Sequence, residues 1–291
     1  MMSPRIQIPV SIGGSRMVLS PKQLLTTILV VFSTLSFIKI LLITRSSAGG
    51  ASSSALLHRS EWESGNGTAA GNDGLAAKEF ALLRSIVAAR APCRLLVFGL
   101  SPQLLALAAI NSGPGAATAF VTDSAEDGDA ARRVLAGRGG GSSAAVHRTR
   151  YPDAAGEAWA LLRRARDAGP ACVRATGTVR KSGCRLALTS LPREVLDARW
   201  DVVVVDGPSG AGPDEPGRMG AIYTAAALAR AGGGEVDVAV HDVNRTVERW
   251  YAREYLCEDN LVAAKGRLWH FRVGTGGPRD AFCSTGAVQI L

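Results

Sequence analysis

Two carboxylates and an imidazole stand at the ends of two apolar runs. Asp206 closes WDVVVVDGP (Trp200 to Pro208), and His241 with Asp242 closes VDVAVHDV (Val236 to Val243). Four consecutive valines read as a central parallel strand covered on both faces. In parallel sheets the ligand sits beyond the carboxyl ends of the strands, so Asp206, His241 and Asp242 are the candidate catalytic residues. Asp206 and Asp242, with Asn244 two residues on, would form an oxygen-rich site for a divalent metal. Such an ion would orient a substrate hydroxyl or carboxylate and lower the hydroxyl's pKa ready for alkylation. Alternatively His241 is the general base that takes the hydroxyl proton. The plainer alternative makes Asp206 a cap for the next helix and His241 a satisfied core histidine.

Earlier runs end in similar fashion. CRLLVFG (Cys93 to Gly99) and TAFVTD (Thr118 to Asp123) read as strands, which puts Gly99, Ser101 and Asp123 on the same rim. A tight turn after the first strand lets a cofactor approach the backbone, and an acid ending the second accepts hydrogen bonds from ribose hydroxyls. This suits a nucleoside cofactor such as S-adenosylmethionine; the GxGxxG spacing of a dinucleotide site and the GKS/T phosphate loop are both missing. Arg218 opens the helical segment GRMGAIYTAAALAR and would pair with a substrate carboxylate, or tie its own loop down through Asp214 or Glu215. The Gly/Pro-rich stretch from Asp206 to Met219 is too long for a plain connection and would form one wall of the site.

The elements that must position these residues alternate. LAAKEFALLRSIVAAR, LLALAAI, GEAWALLRRARDA and RTVERWYAREYL have helical patterns; AAVHRT is a third strand, and GRLWHFRV a late one, half of an antiparallel pair at the sheet edge. The expected fold is α/β, a Rossmann-like doubly wound, mainly parallel sheet over residues 75–291. Of five cysteines, Cys172 with Cys184 and Cys257 with Cys283 are the expected disulfides, leaving Cys93 buried and free.

The chain has 33 Lys+Arg against 25 Asp+Glu, but Arg5, Arg16, Lys22, Lys39, Arg45 and Arg59 lie in the first 60 residues, which hold no acid. The remainder is near neutral and lacks the basic stripe of a nucleic-acid surface. Residues 24–43, LLTTILVVFSTLSFIKILLI, are apolar except for Lys39 and long enough to span a bilayer. They are read as an anchor, with a cleaved signal peptide as the alternative. Residues 1–23 are then a basic cytosolic tail and residues 44–74 a Ser/Gly/Ala-rich stem. That is the layout of a type II protein of the secretory pathway. Of the two glycosylation acceptors, Asn66-Gly67-Thr68 lies in the stem and Asn244-Arg245-Thr246 beside the proposed site, where it is expected to be unused.

WDVVVVDGPSGAGPDEPGRMGAIYTAAALAR, AVHDVNRTVERWYAREYLCEDNLV and GRLWHF resemble the plant polysaccharide-biosynthesis family that acts on xylan in the Golgi. The resemblance runs from about Leu75 to Cys283. It implies an S-adenosylmethionine-methyltransferase-type fold and a Golgi membrane protein with a lumenal C-terminal domain. It also implies a role in xylan biosynthesis, with xylan or its glucuronic acid side chains, and other xylan synthesis proteins, as partners. Members include glucuronoxylan 4-O-methyltransferases and the Irregular Xylem Fifteen proteins; DGPSGAGPDEPGRM and CEDNLVAAKGRLWHF are more similar to the latter. Arabinogalactan is the lesser alternative acceptor. The methyltransferases resembled here tend to carry two acids at the end of the second strand, where this chain has Thr122-Asp123.

Overall fold

Val202 to Val205 are wholly shielded from solvent because they form the middle of a seven-stranded sheet. The structure is a computed structural model that describes residues 74–137, 143–168, 170–173, 179–274 and 281–283. The tail, the apolar run 24–43 and nearly all of the stem lie outside them, as do parts of the C-terminal segment. Among the described residues no helix is long and apolar enough to cross a membrane.

The elements run α1 (Ala77–Arg90), β1 (Arg94–Phe98), α2 (Pro102–Ile110), β2 (Ala117–Thr122), α3 (Ala125–Gly137), β3 (Ser143–Arg148) and α4 (Ala158–Asp167). Two short helices follow, α5 (Pro170–Val173) and α6 (Arg193–Leu196). The chain then continues through β4 (Val202–Val205), α7 (Met219–Ala231), β5 (Val236–Val240), α8 (Thr246–Leu256), β6 (Leu261–Lys265) and β7 (Leu268–Val273). The sheet order is β3-β2-β1-β4-β5-β7-β6. The first five strands in that order are parallel, and β7 joins β5 and β6 antiparallel. This is the doubly wound α/β sheet expected, and the late strand β7 is, as expected, half of an antiparallel pair at the sheet edge, with β6 outermost.

Alternation along the strands sends Leu96, Phe98, Val203, Val205, Val238 and Val240 into a core shared with α4, α7 and α8. The intervening Leu95, Val97, Val202, Val204 and Ala239 are equally buried, and α1 packs against β4 and α2. Burial on both faces explains why the central strands are continuously apolar. Helix α7 is alanine-rich because it is enclosed by β4, β5, β7 and α8. Disulfides join Cys172 to Cys184 and Cys257 to Cys283, and Cys93 is free and buried. The second disulfide holds Phe282 in an aromatic cluster with Tyr223 and Tyr255.

Candidate functional site

Strand register builds the rim. Phe98 pairs with Val121 on one side and Val205 on the other, and Val205 with Val240. One residue further, the amides of Gly99, Asp206 and His241 still donate to Val121, Phe98 and Val205. Gly99, Thr122, Asp206 and His241 therefore form one row at the carboxyl edge, with Asp123, Gly207 and Asp242 in the row above.

His241 is fully buried and both of its ring nitrogens are engaged. Nδ1 lies 2.7 Å from Asp206 Oδ1, and Nε2 lies 3.1 Å from Glu79 Oε2. Asp242 Oδ1 is 3.5 Å from Nδ1. Burial pushes the imidazole pKa down, but the hydrogen bond and charge of Asp206, the charge of Asp242 and the bond to Glu79 outweigh it, and the net shift is upward. An imidazole between two carboxylates donates from both nitrogens, which makes it an imidazolium. Both nitrogens of the expected general base are thus engaged by the protein's own carboxylates, the arrangement of a satisfied core histidine.

Asp242 adopts a left-handed backbone, φ 59°, which is uncommon outside glycine and is tolerated best by Asn and Asp. Its Oδ1 accepts from Arg267 Nη1 at 2.9 Å. Its Oδ2 is 2.9 Å from Arg218 Nη2 and 3.1 Å from Arg245 Nη2, ion pairs that lack hydrogen-bond alignment. Asp206, His241 and Asp242 do bring one ligand atom each within 4.8 Å of one another. A divalent ion placed there would sit among three guanidiniums and an imidazolium, so this donor set does not fit the expected metal.

Arg218 is also buried. Nε donates to the Pro208 carbonyl at 2.7 Å and Nη1 to that of His241 at 3.2 Å. Its guanidinium holds the protein's own loop and Asp242, leaving nothing for a substrate carboxylate; Asp214 and Glu215 are not its partners. Glu215 instead accepts from Ser209 Oγ at 2.5 Å and the Ala211 amide at 3.1 Å. The loop is pinned across to the segment after β3 by Ala155 N to Glu215 O and Gly156 N to Pro213 O, both 2.8 Å. It forms an ordered wall. Beneath it Glu248 is buried, and that burial raises its pKa against the pull of Arg218 and Arg245.

The expected cofactor residues divide. A Cβ on Gly99 would meet the backbone of Asp206 and Gly207 at 3.0 Å, so its bare Cα serves the approach of β1 to β4. Ser101 caps α2, its Oγ accepting from the Leu104 amide at 3.2 Å. Asp123 is half-buried, and no side chain among the described residues pairs with its carboxylate. Thr122, where a second acid would stand, is buried and accepts from the Ser124 amide at 3.2 Å.

Four residues of this site escape sequence reading. Glu79, in the first turn of α1, also accepts from the amides of Ala76 and Arg267, each at 2.7 Å. Burial pushes Glu79 up; these bonds and His241 prevail and hold it below the ordinary carboxylate value. Arg245 and Arg267 are solitary arginines in polar turns. Tyr151 follows β3 with only 7% of its surface exposed, and its hydroxyl has no hydrogen-bond partner. Burial first, and then the charge of Asp123, push that phenol well above its ordinary range. An orphaned hydroxyl beside an unpaired carboxylate, both at the strand ends, fits a nucleoside with its ribose hydroxyls and ring nitrogens. A bound S-adenosylmethionine is therefore compatible with the residues present.

Similarity to known proteins covers the same elements. The chain is 39% identical over 215 residues to arabinogalactan O-methyltransferase 2 of Arabidopsis thaliana, covering 71% of this chain and 71% of that protein. It is 37% identical to glucuronoxylan 4-O-methyltransferase 1 of the same plant, over 67% of this chain and 66% of the relative. Identity to the Arabidopsis protein IRX15-LIKE is 36%, over 62% of this chain and 55% of the relative. A sequence profile described as IRX15/IRX15L/GXM matches residues 78–271. That match begins one residue before Glu79 and ends within β7, so it takes in every charged side chain of the His241 cluster, and the chain belongs to the IRX15/IRX15L/GXM family.

Proposed function

We propose that this protein acts in xylan biosynthesis through a methyltransferase-like domain, and that the domain uses S-adenosylmethionine to methylate a hydroxyl of glucuronic acid side chains on glucuronoxylan. One observation carries the reading. The Asp123 carboxylate, the Tyr151 hydroxyl and Asp206 Oδ2, which have no hydrogen-bond partner among the described residues, follow the carboxyl ends of β2, β3 and β4, strands of one parallel sheet in which β1 lies between β2 and β4, while the other charged groups of the cluster are ion-paired internally. The names of the relatives supply the acceptor class.

In this reading Asp123 accepts from the ribose hydroxyls and Tyr151 hydrogen-bonds the nucleoside. The cofactor, when bound, contributes a methyl group activated on a sulfonium. Asp206 is 11% exposed, and its Oδ2 has no partner among the described residues. It takes the proton that the acceptor hydroxyl loses as the oxygen forms its bond to the methyl carbon and the carbon–sulfur bond breaks. The imidazolium of His241 holds Oδ1 throughout. The apolar run 24–43 supports a place in the Golgi membrane as a single-pass type II protein with the domain in the lumen. There it would meet xylan and the other proteins of xylan synthesis.

A second reading is a non-catalytic component of xylan synthesis that keeps the fold as a scaffold. The closed ion-pair network around Asp242 and the single acid at the end of β2 favour it. Calorimetric titration of the full chain with S-adenosylmethionine and S-adenosylhomocysteine separates the two. Binding, followed by methyl transfer to glucuronoxylan oligosaccharides in preference to arabinogalactan, is the expected result. No binding by the folded chain would reject the enzyme and leave the scaffold.

A further inference from the structure

Glu79 stands in the first helix of the domain and Asp206 after its central strand β4, and the two are joined through His241. Glu79 is 2% exposed and is held by three donors, the amides of Ala76 and Arg267 and the His241 ring. The turn between β6 and β7 closes over it so tightly that a Cβ on Gly266 would stand 2.3 Å from Glu79 Oε1. Gly266 also has φ 57°, so glycine is required there twice over. With Nε2 fixed by Glu79, the ring cannot flip, and Nδ1 is presented to Asp206 at 2.7 Å. Of the Asp206 oxygens, Oδ1 is thereby occupied and Oδ2 is left open.

We infer that Glu79 is a positioning residue: acting through the doubly hydrogen-bonded imidazolium of His241, it fixes the rotamer of Asp206 so that one carboxylate oxygen alone is offered to the acceptor hydroxyl. The inference rests on the methyl-transfer reading for the reaction but on geometry for the clamp. Glu79 touches no reacting atom. Glu79 engages Nε2 directly at 3.1 Å while Asp206 engages Nδ1, so neither ring nitrogen is offered to the acceptor in competition with Asp206. A glutamine at this position places an amide N–H against either the ring or the backbone donors and breaks one side of the clamp.

The test is nuclear magnetic resonance of the full chain labelled at its four histidines, alongside kinetics of the Glu79→Gln variant. The wild-type His241 is expected to show two hydrogen-bonded ring N–H protons at neutral pH. Glu79→Gln should lose the Nε2 proton and lower kcat about 100-fold, with the Kd for S-adenosylmethionine within about twofold of wild type because the cofactor groups are untouched. A structural role alone would lower the melting temperature and leave kcat and the Nδ1 proton unchanged, and that result overturns the inference. So does a single ring proton in the wild type, a measurement that stands even where Glu79→Gln fails to fold. A wild-type chain with both ring protons and no methyl transfer overturns the enzyme reading, and the positioning role with it, while showing the clamp intact.

Discussion

Gly99 and Gly207 meet backbone to backbone: a methyl group on Gly207 would stand 2.6 Å from the Gly99 Cα and 2.9 Å from its nitrogen. The ends of β1 and β4 can approach only because neither residue has a side chain. Gly207→Ala must therefore push apart the two strands that carry the rim. The expected cost is about 2 kcal/mol, typical of overpacking in a closed core, read as a lower midpoint in denaturant with an unchanged slope. An unshifted midpoint would show that the rim yields freely.

Tyr151→Phe separates ligand binding from folding. The hydroxyl it removes has no partner in the protein, so stability should hold or rise slightly. If the hydroxyl serves the nucleoside, its loss weakens S-adenosylmethionine binding by about 0.5 to 1.5 kcal/mol, or roughly 2- to 12-fold in Kd. Calorimetry of the full chain reads both wild type and variant. Equal Kd values together with lost stability would make Tyr151 a core residue only.

The strand-end residues were legible because apolar runs of limited length end in polar groups, and a parallel sheet gathers those ends on one edge. The valines of β4 and the apolar face of α7 were legible for the same reason. Glu79 was not, since an acid in the first turn of a helix reads as a cap, and its contact with His241 spans 162 residues. Strand β6, with its exposed Val262 and small alanines, has too little alternation to be recognised. Helix α3 carries Gly128 and three acids, a weak helical pattern. Spacing leaves His241 open between a general base and a satisfied core histidine because it cannot show that both ring nitrogens face carboxylates, and it cannot show that three arginines from separate turns converge on Asp242 beside the expected metal ligands.

Stability should depend on pH at both ends of this cluster. The pKa of His241 is raised above 6.5 on folding, so its stabilising effect is fully present below that value and is lost as pH rises through the folded value. Glu79 is lowered from 4.5, so its contribution is present above that value and is lost as pH falls through the folded one. Melting temperatures of the full chain should decline on both sides of this range. In His241→Asn the alkaline decline should flatten; an alkaline limb unchanged by that substitution would assign it to other groups.

Asp237 offers a control at the opposite edge of the sheet. It lies near the start of β5, where its amide donates to the Asp201 carbonyl at 3.0 Å, whereas the candidate site lies beyond the end of that strand. Its buried carboxylate accepts from Arg90 Nε at 2.6 Å, His270 Nε2 at 2.7 Å and Arg272 Nε at 3.1 Å. Burial pushes its pKa up, but the bonds to His270, Arg90 and Arg272 outweigh it and hold the acid well below the ordinary carboxylate range. The cluster ties α1 to β5 and β7, and Asp237→Asn would leave its cations uncompensated. Removing one partner of a fully buried pair costs about 3 to 5 kcal/mol. Arg90 and Arg272 reach solvent, with side-chain exposures of 29% and 46%, and screening there reduces the expected loss to about 2 kcal/mol. Chemical denaturation should show that loss near neutral pH, and it should shrink in acid as the wild-type carboxylate is protonated. The Kd for S-adenosylmethionine should stay within about twofold of wild type, as expected for a site that shares no partners with this cluster. A large rise in Kd in a folded Asp237→Asn chain would mean that the two edges of the sheet are coupled, and that Asp237 supports the rim as well as the fold.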